Sequence, residues 1–277
     1  MTFPAVPSTR AWADYSAAVA DAGVTVRTMT ASDAWSAAAL LEKIWGAKPI
    51  AAPMLIALAS TGAYAVVAID GNDVLGAAAG YFCQPLGTAL HSHVAGVRPG
   101  IARPGIGRVM KLHQRAWCLD LGVTEVTWTF DPLVSRNAHI NIQRLGADVD
   151  KYVTDYYGVM TDGLNAGQGS DRALMRWHLD RDYLPTEGDS SVAAVRKSAI
   201  PILIVMPDGA PAAHPVPATA TAVTLAIPHD IEELRKNDPA LASSWRSALR
   251  DAMMPLLAEG WRVTGFDPAT GYLVERA

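Results

Sequence analysis

Apolar and polar residues alternate with two different periodicities along the chain. A period of two, or a short apolar run between turn residues, is typical of strands. In the first hundred residues such stretches are 24–29, 63–69, 74–82 and 89–97. The Asp70-Gly71-Asn72-Asp73 turn between two of them predicts a β-hairpin. A spacing of three to four residues predicts helices over 31–45 and 53–59, the second with a proline at its first position.

After residue 97 the pattern changes to helices that alternate with strands. A helix is predicted from Arg108 to Leu121, with Gly122 as its stop. The next elements are a strand over 123–130, a helix over 135–145, and strands over 149–157 and 173–179. Together with the hairpins upstream, this succession predicts an α/β (α+β) chain with a mixed sheet.

The residues beyond 180 predict a second, smaller lobe. A loop of small polar residues covers 161–171, before the last strand of the first part. The elements predicted after it are strands over 200–206 and 223–227, a short helix from Pro228, a longer helix from Asp238-Pro239 to Gly260, and a closing hairpin over 261–266 and 272–274. We therefore expect a core over 1–180 and a C-terminal αβ extension over 181–277 that packs on the core. An extension of this length is marginal as an independent domain.

The strongest chemical signal lies between the strand that ends at Val97 and the helix that follows. The segment 97–107 reads Val-Arg-Pro-Gly-Ile-Ala-Arg-Pro-Gly-Ile-Gly. Glycines at the start of a helix let the backbone approach a ligand closely, and the first-turn amides have no helical partners. These amides lie at the positive end of the helix dipole, which favours phosphate. Three arginines, Arg98, Arg103 and Arg108, add permanent positive charge. The loop therefore predicts a site for a phosphate-bearing cofactor.

Four interpretations of this loop compete. A P-loop is excluded because Arg108 stands where Lys-Ser/Thr is required. A dinucleotide-binding oxidoreductase is disfavoured, since Met110 occupies the third glycine position and paired strands precede the loop. An acyl-CoA site is the third possibility. An ordinary Gly/Pro turn before a helix is the fourth.

The segment resembles the pyrophosphate loop of the GNAT superfamily of acyl-CoA-dependent N-acyltransferases, Val-x-Pro-x-Tyr-Arg/Gln-Gly-x-Gly-Ile-Gly. The predicted order of elements is similar to that of GNAT proteins. The segments 128–133, 135–138, 141–147 and 156–158 also resemble a subgroup of predicted acetyltransferases with a C-terminal extension. The resemblance implies a GNAT-like, mixed and mostly antiparallel twisted sheet flanked by helices, with a smaller C-terminal αβ lobe.

The resemblance also implies which residues contact the co-substrate, acetyl-CoA or another acyl-CoA, and it implies no metal. The expected cofactor-binding residues are Ala95, Val97, Ala102, Arg103, Gly105, Ile106, Gly107, Arg108, Ser135 and Asn137. The loop departs from the family's pattern at two positions: Ala102 replaces the family's Arg/Gln, and Pro104 has no amide proton to donate to a pyrophosphate. The remaining amides still suffice for a pyrophosphate.

The chemistry of acyl transfer requires an oxyanion donor and a group that takes the proton of the attacking amine. In GNAT folds the donor is a backbone amide, here within 95–97. His93 and His91 share one face of the strand by the period of two, and imidazole suits the role of base; burial as structural histidines is the alternative. Asp131 is another candidate base. Tyr156 is a candidate acid, because Ile142 stands where many GNAT enzymes have a proton-donating tyrosine.

The sequence therefore predicts an enzyme that moves an acetyl or succinyl group from acyl-CoA to the amine of a small metabolite, by direct transfer in a ternary complex. A succinyl group would need an arginine for its carboxylate, with Arg136, Arg172 and Arg246 as candidates. Because the usual tyrosine is missing, a non-catalytic acyl-CoA-binding protein of the same fold stays open as the alternative.

Composition sets the remaining expectations. The chain has 277 residues, a net charge of −4, 50% hydrophobic residues and two cysteines. This charge balance predicts no nucleic-acid partner, and lone cysteines predict neither a disulfide framework nor a zinc site. No signal peptide and no apolar stretch long enough to span a membrane are recognised. We expect a cytoplasmic protein with no membrane partner, and a homodimer is possible.

Overall fold

The computed structural model describes residues 8–158, 169–181 and 195–277. These residues form two compact units. The first unit comprises 8–128 and 178–181, and the second comprises 129–158, 169–177 and 195–277. The boundary expected at residue 180, between a core and an extension, stays a prediction.

The larger sheet of the described residues has seven strands, and five of them begin in the first unit. The strands that begin in this unit are β1 (Thr25–Thr28), β2 (Tyr64–Asp70), β3 (Asp73–Phe82), β4 (Ala89–Val97) and β5 (Glu125–Phe130). They are neighbours in chain order, antiparallel from β1 to β4, whereas β4 and β5 run parallel. The predicted hairpin is confirmed by the pair Asp70↔Asp73 at the end of β2 and β3. Every strand predicted in this region is present, with ends shifted by at most two residues.

The described part of the first unit contains four helices. They are α1 (Ser8–Ala22), α2 (Ala31–Trp45), α3 (Ala52–Ser60) and α4 (Ile106–Asp120). Helix α2 begins at a capping box, in which Thr30 and Asp33 satisfy each other's backbone amides. Its buried side chains join those of β2 and β3 in one hydrophobic core. Helix α1, which the sequence analysis did not predict, packs against α4.

The second unit contains the strands β6 (Asp148–Val153) and β7 (Arg172–His178), which are antiparallel. The predicted helix over 135–145 is α5 (Ser135–Ala138), which continues as a π-helical turn, His139–Arg144. Strand β6 is shorter than predicted, because the chain turns after Val153 and Asp155 has a positive φ of 47°. Most of the loop predicted over 161–171 lies outside the described residues.

A second sheet of five strands lies in the same unit. Its strands are β8 (Ile200–Val205), β9 (Pro211–Ala213), β10 (Ala222–Leu225), β11 (Arg262–Asp267) and β12 (Gly271–Glu275), in the order β11-β12-β10-β8-β9. Between β10 and β11 lie the helices α6 (Ile231–Asn237) and α7 (Pro239–Ala258). Helix α7 contacts β6 as well as β8 and β9. The C-terminal residues therefore pack on part of the larger sheet within this unit.

The predicted fold class is confirmed: a mixed sheet flanked by helices, with a smaller sheet towards the C-terminus. Strand β9 lies between the strands predicted over 200–206 and 223–227 and was not predicted. Within the described ranges, no helix is long and apolar enough to cross a membrane.

Candidate functional site

The glycine loop ends at the first turn of α4, as the motif predicts. Gly105 is the residue before the helix and has a φ of +92°, a conformation that favours glycine. No side chain caps this end, so the first-turn amides are available to a ligand. A Cβ added to Gly107 would have Val97 Cγ2, at 3.9 Å, as its nearest neighbour. The protein itself thus leaves open the space in front of Gly107.

The three arginines of the loop have different surroundings. Arg103 is ion-paired with Asp70 at 2.8 Å and donates to the Gly23 carbonyl oxygen at 3.2 Å. Arg98 donates to the Val74 carbonyl oxygen. Arg108, next to Gly107, is exposed and makes no ion pair in the described part of the chain. Among the described residues, Arg108 is therefore the loop arginine that is placed to interact with a ligand.

The strands β4 and β5 pair over three residues only. Their register runs from Ala89↔Glu125 to His91↔Thr127, and it stops there although both strands continue within the described range 8–158. The remainder of β4, apart from His93, is paired with β3 on its other side. The two parallel strands therefore separate from Ser92 onward, towards the end of β4 that leads into the glycine loop.

Lys111 of α4 lies where the two strands separate. Its Nζ donates to Ser92 Oγ at 3.1 Å and to Gln114 Oε1 at 3.0 Å, and it lies 4.0 Å from the centre of the Trp128 ring. These acceptors are all uncharged. Burial without a carboxylate lowers the pKa of Lys111 from 10.5 to about 7, although the Cys118 thiol acts weakly in the opposite direction.

His93 occupies an irregularity in β4. The register passes from Ala79↔Val94 to Gly80↔Ser92, so His93 is an extra residue with no partner on β3. A bulge of this kind bends the strand and redirects a side chain. The His93 ring lines a cavity of about 380 Å³, which Tyr81 and residues of α3 also line.

His91 is on the same face of β4 but in a different environment. Its ring centre lies 6.4 Å from that of His93 and 5.3 Å from that of Tyr81. It is buried, and its Nδ1 is 3.1 Å from Thr127 Oγ1. Burial, together with the charges of His93 and Lys111, lowers the pKa of His91 to about 4. At neutral pH this ring is unprotonated and a weak proton acceptor.

Asp131, the other candidate base, belongs to a buried ion-pair cluster in the second unit. It is paired with Arg246 at 2.8 Å and with Arg235, and its Oδ1 accepts from the Leu133 amide at 3.0 Å. Burial alone would raise the pKa of Asp131, but Arg246 and Arg235 outweigh it and lower the value to about 2. Arg172 is close enough to act in the same direction. A carboxylate held in such ion pairs is a weak proton acceptor, and its contacts are typical of a structural role.

The remaining candidates in the second unit are more exposed. The Tyr156 ring packs edge-on against Tyr157 at 4.7 Å, and burial raises the pKa of Tyr156. Ser135 and Asn137 are half-buried residues of α5. Arg136, one of the candidates for a succinyl carboxylate, is ion-paired with Glu232 at 2.7 Å.

The two cysteines differ in burial. Cys118 is buried in α4, and burial raises the pKa of its thiol to about 12. Cys83 is half-buried and its thiol lies 4.0 Å from Thr127 Oγ1. No group of three or more potential metal ligands occurs among the residues that the structure describes.

Lys111 is the residue of this region that the sequence analysis missed. It follows the apolar Met110 in the helix, and a lysine beside an apolar helix face is expected to reach solvent. No sequence signal shows that the strands above it separate. Arg235 was missed as a partner of Asp131 for a similar reason, because the two are 104 positions apart.

No protein-family model matches the chain, and no curated protein matches it. The solved structures that it resembles include the ribosomal-protein-S18-alanine N-acetyltransferase of Escherichia coli, with 14% identity, a TM-score of 0.47, and coverage of 58% of this chain and 96% of that chain. A phosphinothricin acetyltransferase of the GNAT superfamily from Sinorhizobium meliloti, in complex with acetyl-CoA, has 19% identity and a TM-score of 0.47 and covers 60% and 94%. An N-acetyltransferase from Staphylococcus aureus has 14% identity and a TM-score of 0.46 and covers 56% and 98%.

Proposed function

We propose that this protein is a CoA-dependent N-acyltransferase that moves an acetyl or succinyl group from acyl-CoA to the amine of a small molecule. One observation carries the proposal: the strand that separates from its parallel neighbour leads directly into a glycine-capped helix N-terminus. The predicted phosphate site and the unpaired side of β4 are thus parts of one continuous segment, β4–loop–α4.

The loop would bind the pyrophosphate through the backbone. The amides of Ile106, Gly107 and Arg108 have no capping side chain, and the helix dipole favours an anion in front of them. The Arg108 guanidinium adds the charge that Ala102 does not supply. The side chain of Ile106 is buried and serves packing.

The rest of β4 would receive the acyl end of the donor. His93 precedes Val97 by four residues, about 13 Å along a strand at about 3.3 Å per residue. A pantetheine arm that starts at the loop would extend along this part of β4. The free backbone groups of β4, including the Ala95 and Val97 amides, are the expected donors for the thioester oxygen.

His93 is the proposed proton acceptor for the reacting amine. The amine nitrogen attacks the thioester carbonyl carbon, a C–N bond forms, the C–S bond breaks, and the amine proton passes to the imidazole. The CoA thiolate must then be protonated, and Tyr156 stays the predicted acid. Neither cysteine enters this scheme, so transfer occurs directly within a ternary complex.

A second candidate function is acyl-CoA binding without turnover. It is favoured by Ile142, which is buried at the position where many GNAT enzymes have a tyrosine. Both candidates share the donor site and differ in whether an amine releases CoA. A cytoplasmic location and a homodimer stay predictions.

Calorimetry with CoA tests the donor site. Gly107→Val should abolish measurable CoA binding while the far-UV spectrum and melting temperature stay unchanged, because the free protein has room for the side chain. Arg108→Gln should weaken CoA binding, and Arg103→Gln is its matched control, since that guanidinium is already paired with Asp70. Unchanged affinity in folded Gly107→Val protein would refute the donor site.

Release of free thiol separates the two candidates. We expect continuous thiol release from acetyl-CoA or succinyl-CoA when small amines are supplied, and a lower kcat with unchanged CoA affinity in His93→Ala. Binding of acyl-CoA without thiol release for any amine would establish the non-catalytic alternative.

A further inference from the structure

We propose that the cavity beside His93 holds the side group of the amine acceptor, and that this group is uncharged and apolar, either aromatic or branched aliphatic. The proposal rests on the function proposed above and specifies its substrate class. It concerns the first unit alone, in which all lining residues lie.

The cavity walls consist almost entirely of carbon. The lining residues are Pro49, Ile50, Ala51, Met54, Leu58, Tyr81 and His93. They come from the α2–α3 connection, from α3, and from the adjacent strands β3 and β4. None of the seven carries a permanent charge, and the polar side-chain groups are the Tyr81 hydroxyl and the His93 imidazole.

Two lining residues expose apolar side chains in a way that indicates a ligand. Met54 is 55% exposed and Tyr81 is 46% exposed, and both face a concave surface. Isolated exposed apolar residues are ordinary, whereas an apolar concavity with a few convergent polar groups is typical of small-molecule sites. One of the two polar side-chain groups in this cavity is the His93 imidazole, the proposed proton acceptor of the reaction.

The size and polarity of the cavity select the ligand. A cavity of about 150 Å³ is known to hold benzene, so about 380 Å³ has room for one aromatic ring or a branched chain together with the amine carbon. A charged substituent would lose its hydration among these walls without gaining a counter-ion. Each methylene that the cavity covers should raise kcat/KM about fourfold, the factor that corresponds to its transfer free energy.

The bulge at His93 explains why the cavity and the reaction lie together. In regular pairing His93 would have a partner on β3. The bulge leaves it without one, and its side chain lines the same cavity as residues of α3. An amine whose side group lies against Met54 and Leu58 would therefore place its nitrogen near the imidazole. The cavity sets the distance between the recognised group and the reacting atom.

A series of primary amines with acetyl-CoA tests this proposal. Phenethylamine and isopentylamine should exceed ethanolamine and putrescine in kcat/KM by at least tenfold, with most of the difference in KM. Met54→Glu should remove this preference and favour putrescine, while CoA affinity is retained. Met254→Glu is the matched control, since Met254 is also an exposed methionine on a helix, at 37%, but lies in α7 of the second unit.

The outcomes separate this proposal from the one on which it rests. Equal or better turnover of ethanolamine and putrescine by the unmodified protein, or equal effects of the two methionine variants, would overturn the apolar acceptor site. Calorimetric titration of phenethylamine into the CoA-loaded protein provides a readout without turnover. If phenethylamine binds and Met54→Glu abolishes binding, the site stands even where no thiol is released; failure to bind CoA at all contradicts the proposed function instead.

Discussion

Replacing Lys111 with methionine should stabilise the protein at neutral pH and destabilise it in alkali. The Lys111 side chain is half-buried, and its ammonium lies against Trp128, Ser92 and Gln114, none of which carries a negative charge. Burial lowers its pKa from 10.5 to about 7, and at about 1.4 kcal/mol per pH unit this difference corresponds to about 5 kcal/mol. Methionine has a similar length and no charge to desolvate.

The sign of the effect follows from proton linkage. Between pH 7 and 10.5 the unfolded lysine is protonated and the folded one is not, so the stability of the unmodified protein rises by about 1.4 kcal/mol per pH unit. Lys111→Met loses two hydrogen bonds, about 1 kcal/mol each. The net gain of the variant is therefore about 3 kcal/mol at or below pH 7. It should vanish near pH 9 and become a loss of about 2 kcal/mol above pH 10.

Urea unfolding from pH 6 to pH 10, followed by far-UV circular dichroism, measures this difference at each pH. The m-values of the two proteins should agree, because the same surface is exposed. Lys43→Met is the control, since Lys43 is an exposed lysine of α2 and its replacement should have a small effect that does not depend on pH. A difference between Lys111→Met and the unmodified protein that stays constant from pH 7 to 10 would refute the reasoning.

Two further predictions concern the ion-pair cluster and the thiols. Asp131→Asn should cost about 3–5 kcal/mol in urea unfolding at pH 7, because Arg235 and Arg246 lose the buried carboxylate that they share. The loss should shrink as the pH falls from 3.8 towards 2, where the pKa of Asp131 lies. An undiminished difference at pH 2 would contradict this assignment. Replacing Cys83 and Cys118 together with serine should leave thiol release from acyl-CoA largely intact, and mass spectrometry during turnover should find no acylated cysteine; an acyl-enzyme on either residue would disprove direct transfer.

Much of the fold was predictable because its signals are local. The hairpin at Asp70–Asp73, the capping box at Thr30 and the glycine at 105 each depend on residues within a few positions of one another. Helix α1 was missed because its buried face is made of alanines, Ala11, Ala18 and Ala22, which give little contrast with the exposed face.

The candidate site was predictable in part, for a related reason. The loop glycines and His93 could be selected from the sequence, since their chemistry depends on residue type and short spacing. The bulge that redirects His93 and the burial of Lys111 arise from pairing between strands. Register and strand separation depend on partners far away in the chain, and no periodicity in one segment reports them.

The separation of β4 from β5 makes the middle of a sheet behave like an edge. Over Ser92–Val97, β4 is paired with β3 on one side except at His93, and no strand in the described part of the chain pairs with it on the other side. Amide protons there should exchange with deuterium faster than those of Leu90 and His91, which are paired with β3 on one side and with β5 on the other. A ligand that covers this stretch would slow the exchange at these residues first. The ratio of deuterium uptake in the two parts of β4 therefore reports donor-site occupancy, with the part that is paired on both sides as the reference.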